Sequence, residues 1–420
     1  MGLPRSAYVV GGANSPFIGK FHPDFIWKGH PDFGKRDNPS LEMHLHDITV
    51  NTLKATGVAA EQIDRGVVGN FVGELFSQQG HLGALAVAGH PGLAYKPFHR
   101  VEGACASGGL AVLAAADAIA AGADLILVLG AEVQTTVNAK VGADYLARAS
   151  HYESERSLDP FTFPCLFARR MKAYFDRHGG DPSDLAPIVV KAYANAARNP
   201  KAHMRHVAMG LDQAARASDK NPLFLENEDF REVLKISDCS QVSDGAAGLV
   251  LASAEGLAKI GRKPKDCVEL VAYGHATGPL GQVKDLTTLD VTATAVQRAF
   301  RSAGWDAASV DVAEVHDCFS ITEALMYEAM GLCAVGEGVR FGAEGHTAID
   351  GKIPVNTGGG LMAFGHPVGA TGVKQVLEIQ RQLTGQCGDY QIGGSPRRGA
   401  CVNMGGDDRT AVVTLLRYAG

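Results

Sequence analysis

No Cys-x-x-Cys pair occurs in the chain, and its eight cysteines (105, 165, 239, 267, 318, 333, 387 and 401) are scattered over 420 residues. That excludes a disulfide framework and a zinc ribbon. It leaves free thiols, as expected in a reducing, cytoplasmic setting. No apolar run reaches membrane length, so no membrane association is expected. The N-terminus enters the strand-like run Ala7-Tyr8-Val9-Val10 without a signal-peptide core. Gly2 followed by Ser6 fits a myristoylation pattern in form only. Tyr418-Ala419-Gly420 is no peroxisomal address. The net charge of −6 lacks the basic excess of a general nucleic-acid binder.

What is present is a globular composition, 46% hydrophobic and 20% charged, long enough for two or three domain-sized units. Fifty-one glycines sit between apolar runs and mark turns and close backbone approaches. Residues 6–12 read as a strand. Leu41, Leu45 and Ile48 follow helical spacing up to Gly57, and Leu125 to Leu129 form a buried strand. The second half repeats the rhythm. Val268 to Tyr273 is a strand, Leu289, Val296 and Phe300 mark a helix, and Val310 to Val315 is a strand. A Gly-rich loop then opens a helix that Gly385 ends, before the strands of Arg398 to Leu416. Alternating strands and helices predict an α/β fold with mostly parallel sheets; the strand near Leu125 is taken as a dimer edge, which the pattern itself does not show. Between the halves, residues 134–236 are helical and polar. They carry a net +2 against −8 for the remainder, the least repulsive surface for a polyanionic ligand or simply a solvated excursion.

Four segments carry chemistry. Val101 to Ala111 places Cys105 at the mouth of an apolar helix, as a small buried hydrophobe or as a thiol whose anion the helix N-terminus favours. His316-Asp317-Cys318-Phe319 follows a strand, as a core histidine beside a turn or as reactive groups. Its spacing is poor for a metal, because neighbours on a strand face opposite ways. Asn356 to Gly372 holds His366 among six glycines. It lacks the Lys-Ser/Thr of a phosphate loop and leaves room for a bulky ligand. The fourth is Gly399 to Gly406, with Cys401.

Together these segments resemble the thiolase family over essentially the whole chain. Cys105-Ala106-Ser107-Gly108 matches the family's nucleophile setting, Gly365 to Gly372 its Gly-His-Pro loop, and Asp244-Gly245-Ala246-Ala247 a further run. The His-Asp-Cys-Phe segment, Arg169-Arg170, Asn199-Pro200 and Ser237-Asp238-Cys239 look like the subgroup related to the thiolase part of sterol carrier protein x; no lipid-carrier domain is expected to follow. The family's second cysteine lies in Cys-x-Gly; Cys401-Val402-Asn403 matches it with Asn in place of Gly.

The resemblance implies two similar βαβαβαββ halves in a five-layer α-β-α-β-α core. Residues 1–133 with 237–265 would form the nucleophile half, 134–236 an inserted CoA-binding loop domain, and 266–420 the C-terminal half. It implies CoA-dependent cleavage of a 3-oxoacyl-CoA, or the reverse condensation, through an acyl group on Cys105. His366 would be the base, His316 an oxyanion donor, and Cys318 or Cys401 the acid, with Cys318 favoured. Ser240 and Asn403 would meet CoA, and the N–H groups of Cys105 and of a residue near Asn403 would hold the tetrahedral oxyanion. Neither a metal nor a tightly bound cofactor is implied; CoA is a co-substrate, and a homodimer or homotetramer is usual. The competing readings are a ketosynthase on the same fold and an acyl-CoA-binding subunit or lyase working with a partner protein.

Overall fold

The computed structural model describes residues 3–282 and 285–420; Gly2 lies outside the described residues. Among the described residues nine strands form one sheet: β1 (Ala7–Asn14), β2 (Arg65–Gly69), β3 (Phe98–Val101), β4 (Leu125–Glu132), β5 (Gly245–Ala252), β6 (Val268–Thr277), β7 (Val312–Val315), β8 (Arg398–Gly405) and β9 (Thr410–Tyr418). The longer helices are α1 (Leu41–Thr56), α2 (Ser107–Ala120), α3 (Ala139–Leu146), α4 (Thr162–His178), α5 (Ala186–Arg198), α6 (Asp290–Ala303), α7 (Ser320–Ala329) and α8 (Val368–Leu383). In α1 the local signals act as written. Ser40 caps the Met43 N–H, and Gly57 ends the helix in the left-handed region at φ 69°.

The sheet order is β3-β2-β4-β5-β1-β6-β9-β8-β7. Outward from the β1–β6 seam, β1-β5-β4-β2-β3 is mirrored by β6-β9-β8-β7. A parallel bridge from Ala313 to Val355 stands where the last strand of the second half would lie. The expectation of mostly parallel pairing is corrected. Only β2–β3, β2–β4 and β7–β8 run parallel, and the other pairs are antiparallel. A short turn joins β8 to β9 and forces the reversal, and β5 returns against β4 in the same sense. Nor is β4 an edge, since it is hydrogen-bonded to β2 on one side and β5 on the other.

α2 and α8 pack on one another between the halves; α8 touches β4 and β5 of the first and β7 and β8 of the second. They cross at glycines: a Cβ on Gly108 would lie 2.7 Å from the Gly372 nitrogen. Every residue of α8 but Arg381 is buried. With α1 outside β1 and β5 and α6 outside β6 and β9, the layers run α-β-α-β-α. The two central helices therefore present their N-terminal ends side by side. Cys105 stands at one and His366 at the other.

Candidate active site

Cys105 lies in a one-turn helix, Ala104–Ala106, that leads into α2. The chain enters through Ala104 in the left-handed region at φ 52°, a strained conformation for a residue with a side chain. Neighbouring groups hold that turn. The Ala104 N–H donates to Glu102 Oε1 at 2.5 Å, and Ser107 Oγ donates to the Ala104 carbonyl at 2.6 Å. The N–H groups of Gly406 and of Cys105 itself point at the sulfur, yet burial dominates and pushes the thiol up to about 12. A donor aimed at Sγ suits an anion rather than a cation held beside it.

The reactive atoms of Cys105, His316 and His366 all lie within 4.8 Å of one another. His366 precedes α8, whose first turn supplies its partner: Nδ1 meets Thr371 Oγ1 at 2.6 Å. That hydroxyl donates to the Pro367 carbonyl, so it accepts from Nδ1–H. His366 Nε2 is left buried, with no hydrogen-bond partner and its lone pair free. Burial pushes this imidazole down to about 3.

His316 has the opposite arrangement. The Gly109 N–H can only donate, and it meets Asn403 Oδ1 at 3.0 Å. The other end of the Asn403 amide is therefore Nδ2, which donates to the Cys105 carbonyl and to His316 Nδ1, each at 3.1 Å. His316 Nδ1 accepts, so the neutral ring carries its proton on Nε2. Burial and the neighbouring His366 hold its pKa well below the ordinary value.

Of residues 316 to 319, His316, Cys318 and Phe319 line the cavity. Asp317 faces away from the cavity and accepts the Leu361 N–H at 2.7 Å, anchoring the glycine loop. Cys318 lines the cavity with Cys105, and burial raises its pKa. Phe319 stacks on Phe167 at 4.4 Å between centroids. Ser240 also lines the cavity, its N–H donating to the Cys318 carbonyl at 2.8 Å.

Two expectations are corrected. Cys401 does not line the cavity; it is buried in β8, beside Thr414, Glu314 and Lys374, and its pKa is raised by burial. Asn403 is spent on Gly109, Cys105 and His316 and is not a cavity wall either. The glycine that the close approach requires is Gly405, where a Cβ would run into the Gly103 carbonyl. The frame that fits Cys-x-Gly is therefore Asn403-Met404-Gly405, with Asn at the cysteine position.

Sequence reading missed several groups. Glu132, at the end of β4, accepts from the N–H groups of Phe71, Val72 and Gly369 and from Asn70 Nδ2, tying three segments together beneath Cys105. Burial pushes its carboxyl up to about 7. Gln134 donates to the carbonyls of His366 and Ser243, each at 2.9 Å. The signal that could have found both is their position at the carboxyl end of a buried strand.

Two family models match the chain: "Thiolase, N-terminal domain" over residues 33–206 and "Thiolase C-terminal domain-like" over 272–418. An acetyl-CoA acetyltransferase of Methanothermobacter thermautotrophicus is 35% identical across 87% of this chain and 92% of its own length. Sterol carrier protein 2 of Rattus norvegicus is 31% identical across 78% of this chain and 59% of its own length. Human mitochondrial 3-ketoacyl-CoA thiolase, solved in complex with CoA, superposes with a TM-score of 0.70. It shares 15% identity, with 99% of each chain covered.

Proposed function

The chain belongs to the thiolase family, and on that premise we propose that it cleaves a 3-oxoacyl-CoA reversibly with CoA through an acyl group on Cys105. The chain is an acyltransferase; its residues are assigned roles as follows. The observation that carries the reading is the meeting of Cys105, His316 and His366 within 4.8 Å, at the joined ends of two central helices.

His366 Nε2 takes the Cys105 proton as the thiolate attacks the keto carbon. The N–H groups of Cys105 and Gly406 face the developing oxyanion. The bond between the α and keto carbons breaks, and its electrons form the enolate of acetyl-CoA. His316 Nε2–H holds the thioester oxygen of that enolate, and the Cys318 thiol protonates its carbon. A second CoA gives its proton to Cys318 and takes the acyl group. The departing Cys105 sulfur recovers its proton from His366.

Residues 134–236 are assigned as the CoA-binding loop domain, between a nucleophile half (1–133 with 237–265) and a C-terminal half (266–420). Ser240 faces the pantetheine, and Lys20 and His203 line the polar part of the same cavity. CoA is the co-substrate, with no tightly bound cofactor. A cytoplasmic homodimer or homotetramer completes the reading.

The test is incubation with acetoacetyl-CoA and CoA, following the loss of the enolate absorbance. Cys105→Ala is expected to abolish it; a variant that kept full activity would overturn the mechanism.

A further inference from the structure

Cys105 opens on a cavity of about 520 Å³, within the range of sites that enclose whole drug-sized ligands. The pantetheine arm shares that space, so the size of the acyl group is read from the lining beside Cys105 rather than from the volume. The polar side chains of the lining include Lys20, Thr135, Asn138, His203, Ser240 and Gln241. On the other side, Cys105 packs into an apolar cluster with Phe71, Phe76, Val137, Leu146, Phe163 and Val368. None of those six side chains carries a polar atom, and all six also line the cavity.

We infer that this cluster is an acyl chamber, and that the acyl group passed through Cys105 is bulky and apolar rather than acetyl. The inference rests on the acyl-enzyme reading above. An open apolar chamber beside the nucleophile gains free energy when an apolar group displaces its water, and an acetyl group leaves it wet. The six side chains of the cluster offer no donor or acceptor, so a hydroxylated or charged chain laid against them leaves its polar atoms unpaired and is disfavoured.

Gly142 of α3 sets the size of the chamber. It lines the cavity, and a Cβ there would sit 3.5 Å from Phe76 and 3.7 Å from Val137, in ordinary contact with both. Any longer side chain must extend into the space between them.

The test compares thiolysis of acetoacetyl-CoA, 3-oxooctanoyl-CoA and 3-oxo-3-phenylpropanoyl-CoA by the full chain. At least one of the larger thioesters is expected to exceed acetoacetyl-CoA about tenfold or more in kcat/KM. The two larger arms distinguish a linear chain from an aromatic ring. Gly142→Leu is expected to lower kcat/KM for the better large substrate at least tenfold more than for acetoacetyl-CoA. If acetoacetyl-CoA is cleaved as well as or better than both others, the chamber inference falls and the catalytic reading stands. If no thioester is cleaved, both fall.

Discussion

His316 and His366 stand nearly at right angles, with ring centroids 5.0 Å apart and planes at 85°. Their neighbours hold them in opposite tautomers. Thr371 takes the proton side of one ring at Nδ1, and Asn403 takes the lone-pair side of the other. Both rings turn Nε2 to the reacting centre, one able to accept a proton and the other to donate a hydrogen bond. Two residues of one type thus perform opposite tasks.

Thr371→Val removes the acceptor for His366 Nδ1–H and lets the ring turn or change tautomer. The expected result is a fall in kcat of roughly 10- to 100-fold with little change in KM, in line with other oriented histidines. Thr371→Ser keeps the oxygen and should restore most of the rate. Steady-state thiolysis across pH 6 to 9 checks it; a threonine that merely filled space would be replaced well by valine.

Asn403→Asp keeps the acceptor for Gly109 and loses the donor to His316. His316 must then carry its proton on Nδ1, turning a bare lone pair toward the enolate oxygen. Loss of one such donor costs about 10²- to 10³-fold in kcat. The carboxylate beside His316 also raises its pKa, and the charged ring carries Nε2–H again, so the residual activity should recover in part at low pH. A pH profile of kcat for both proteins decides this.

The two candidate acids part company in the structure. Cys318→Ala should lower kcat about 10²- to 10⁴-fold, the usual weight of a general acid. Cys105 stays in place and should still become acylated by an acyl-CoA, more slowly because the leaving CoA has lost its proton donor, and intact-protein mass over time reads this. Cys401→Ala should keep near-normal activity and lose about 1 kcal/mol of stability for one missing buried atom, read by urea unfolding.

The confusion between Cys401 and Asn403 shows where sequence reading ends. Residues two apart on a strand face the same way, so periodicity cannot choose between them. The choice is made by Gly405 against the Gly103 carbonyl, three hundred residues away in sequence. Small residues around a thiol, glycines around a histidine and a His-Asp-Cys-Phe run single out Cys105, His366 and Cys318 locally, and their roles follow from the thiolase resemblance. The repeat of two halves was legible in the order of elements. Antiparallel pairing, the partners of each imidazole and the staple at Glu132 depend on contacts between distant segments, and no local pattern carries those.

The resting pair of Cys105 and His366 is neutral. Burial holds the thiol up at about 12 and the imidazole down at about 3. A raised thiol pKa leaves a thiolate fraction that grows tenfold per pH unit up to that value. Alkylation of Cys105 by iodoacetamide should therefore rise log-linearly from pH 6 to 9, with a slope near one per pH unit. A plateau near pH 6 or 7 would reveal a preformed thiolate–imidazolium pair.

Glu132 gives a stability signature separate from activity. Its folded pKa of about 7 stands above the ordinary 4.5, because burial disfavours its charge. Between those values the folded chain keeps a proton that the unfolded chain has released. By linkage, this group's contribution to stability falls as pH rises through that window, and its full benefit is present below it. Asp244 and Glu314 are raised by burial as well, to about 6 and about 7, so the slope of the native protein is shared. Glu132→Gln removes one share. It also sets an amide NH₂ among four donors, so it should cost stability at every pH. Urea unfolding at pH 5 and 7.5 should show the variant less stable at both, with a smaller loss between them than the native chain shows. An equal or steeper loss in the variant would assign the proton elsewhere.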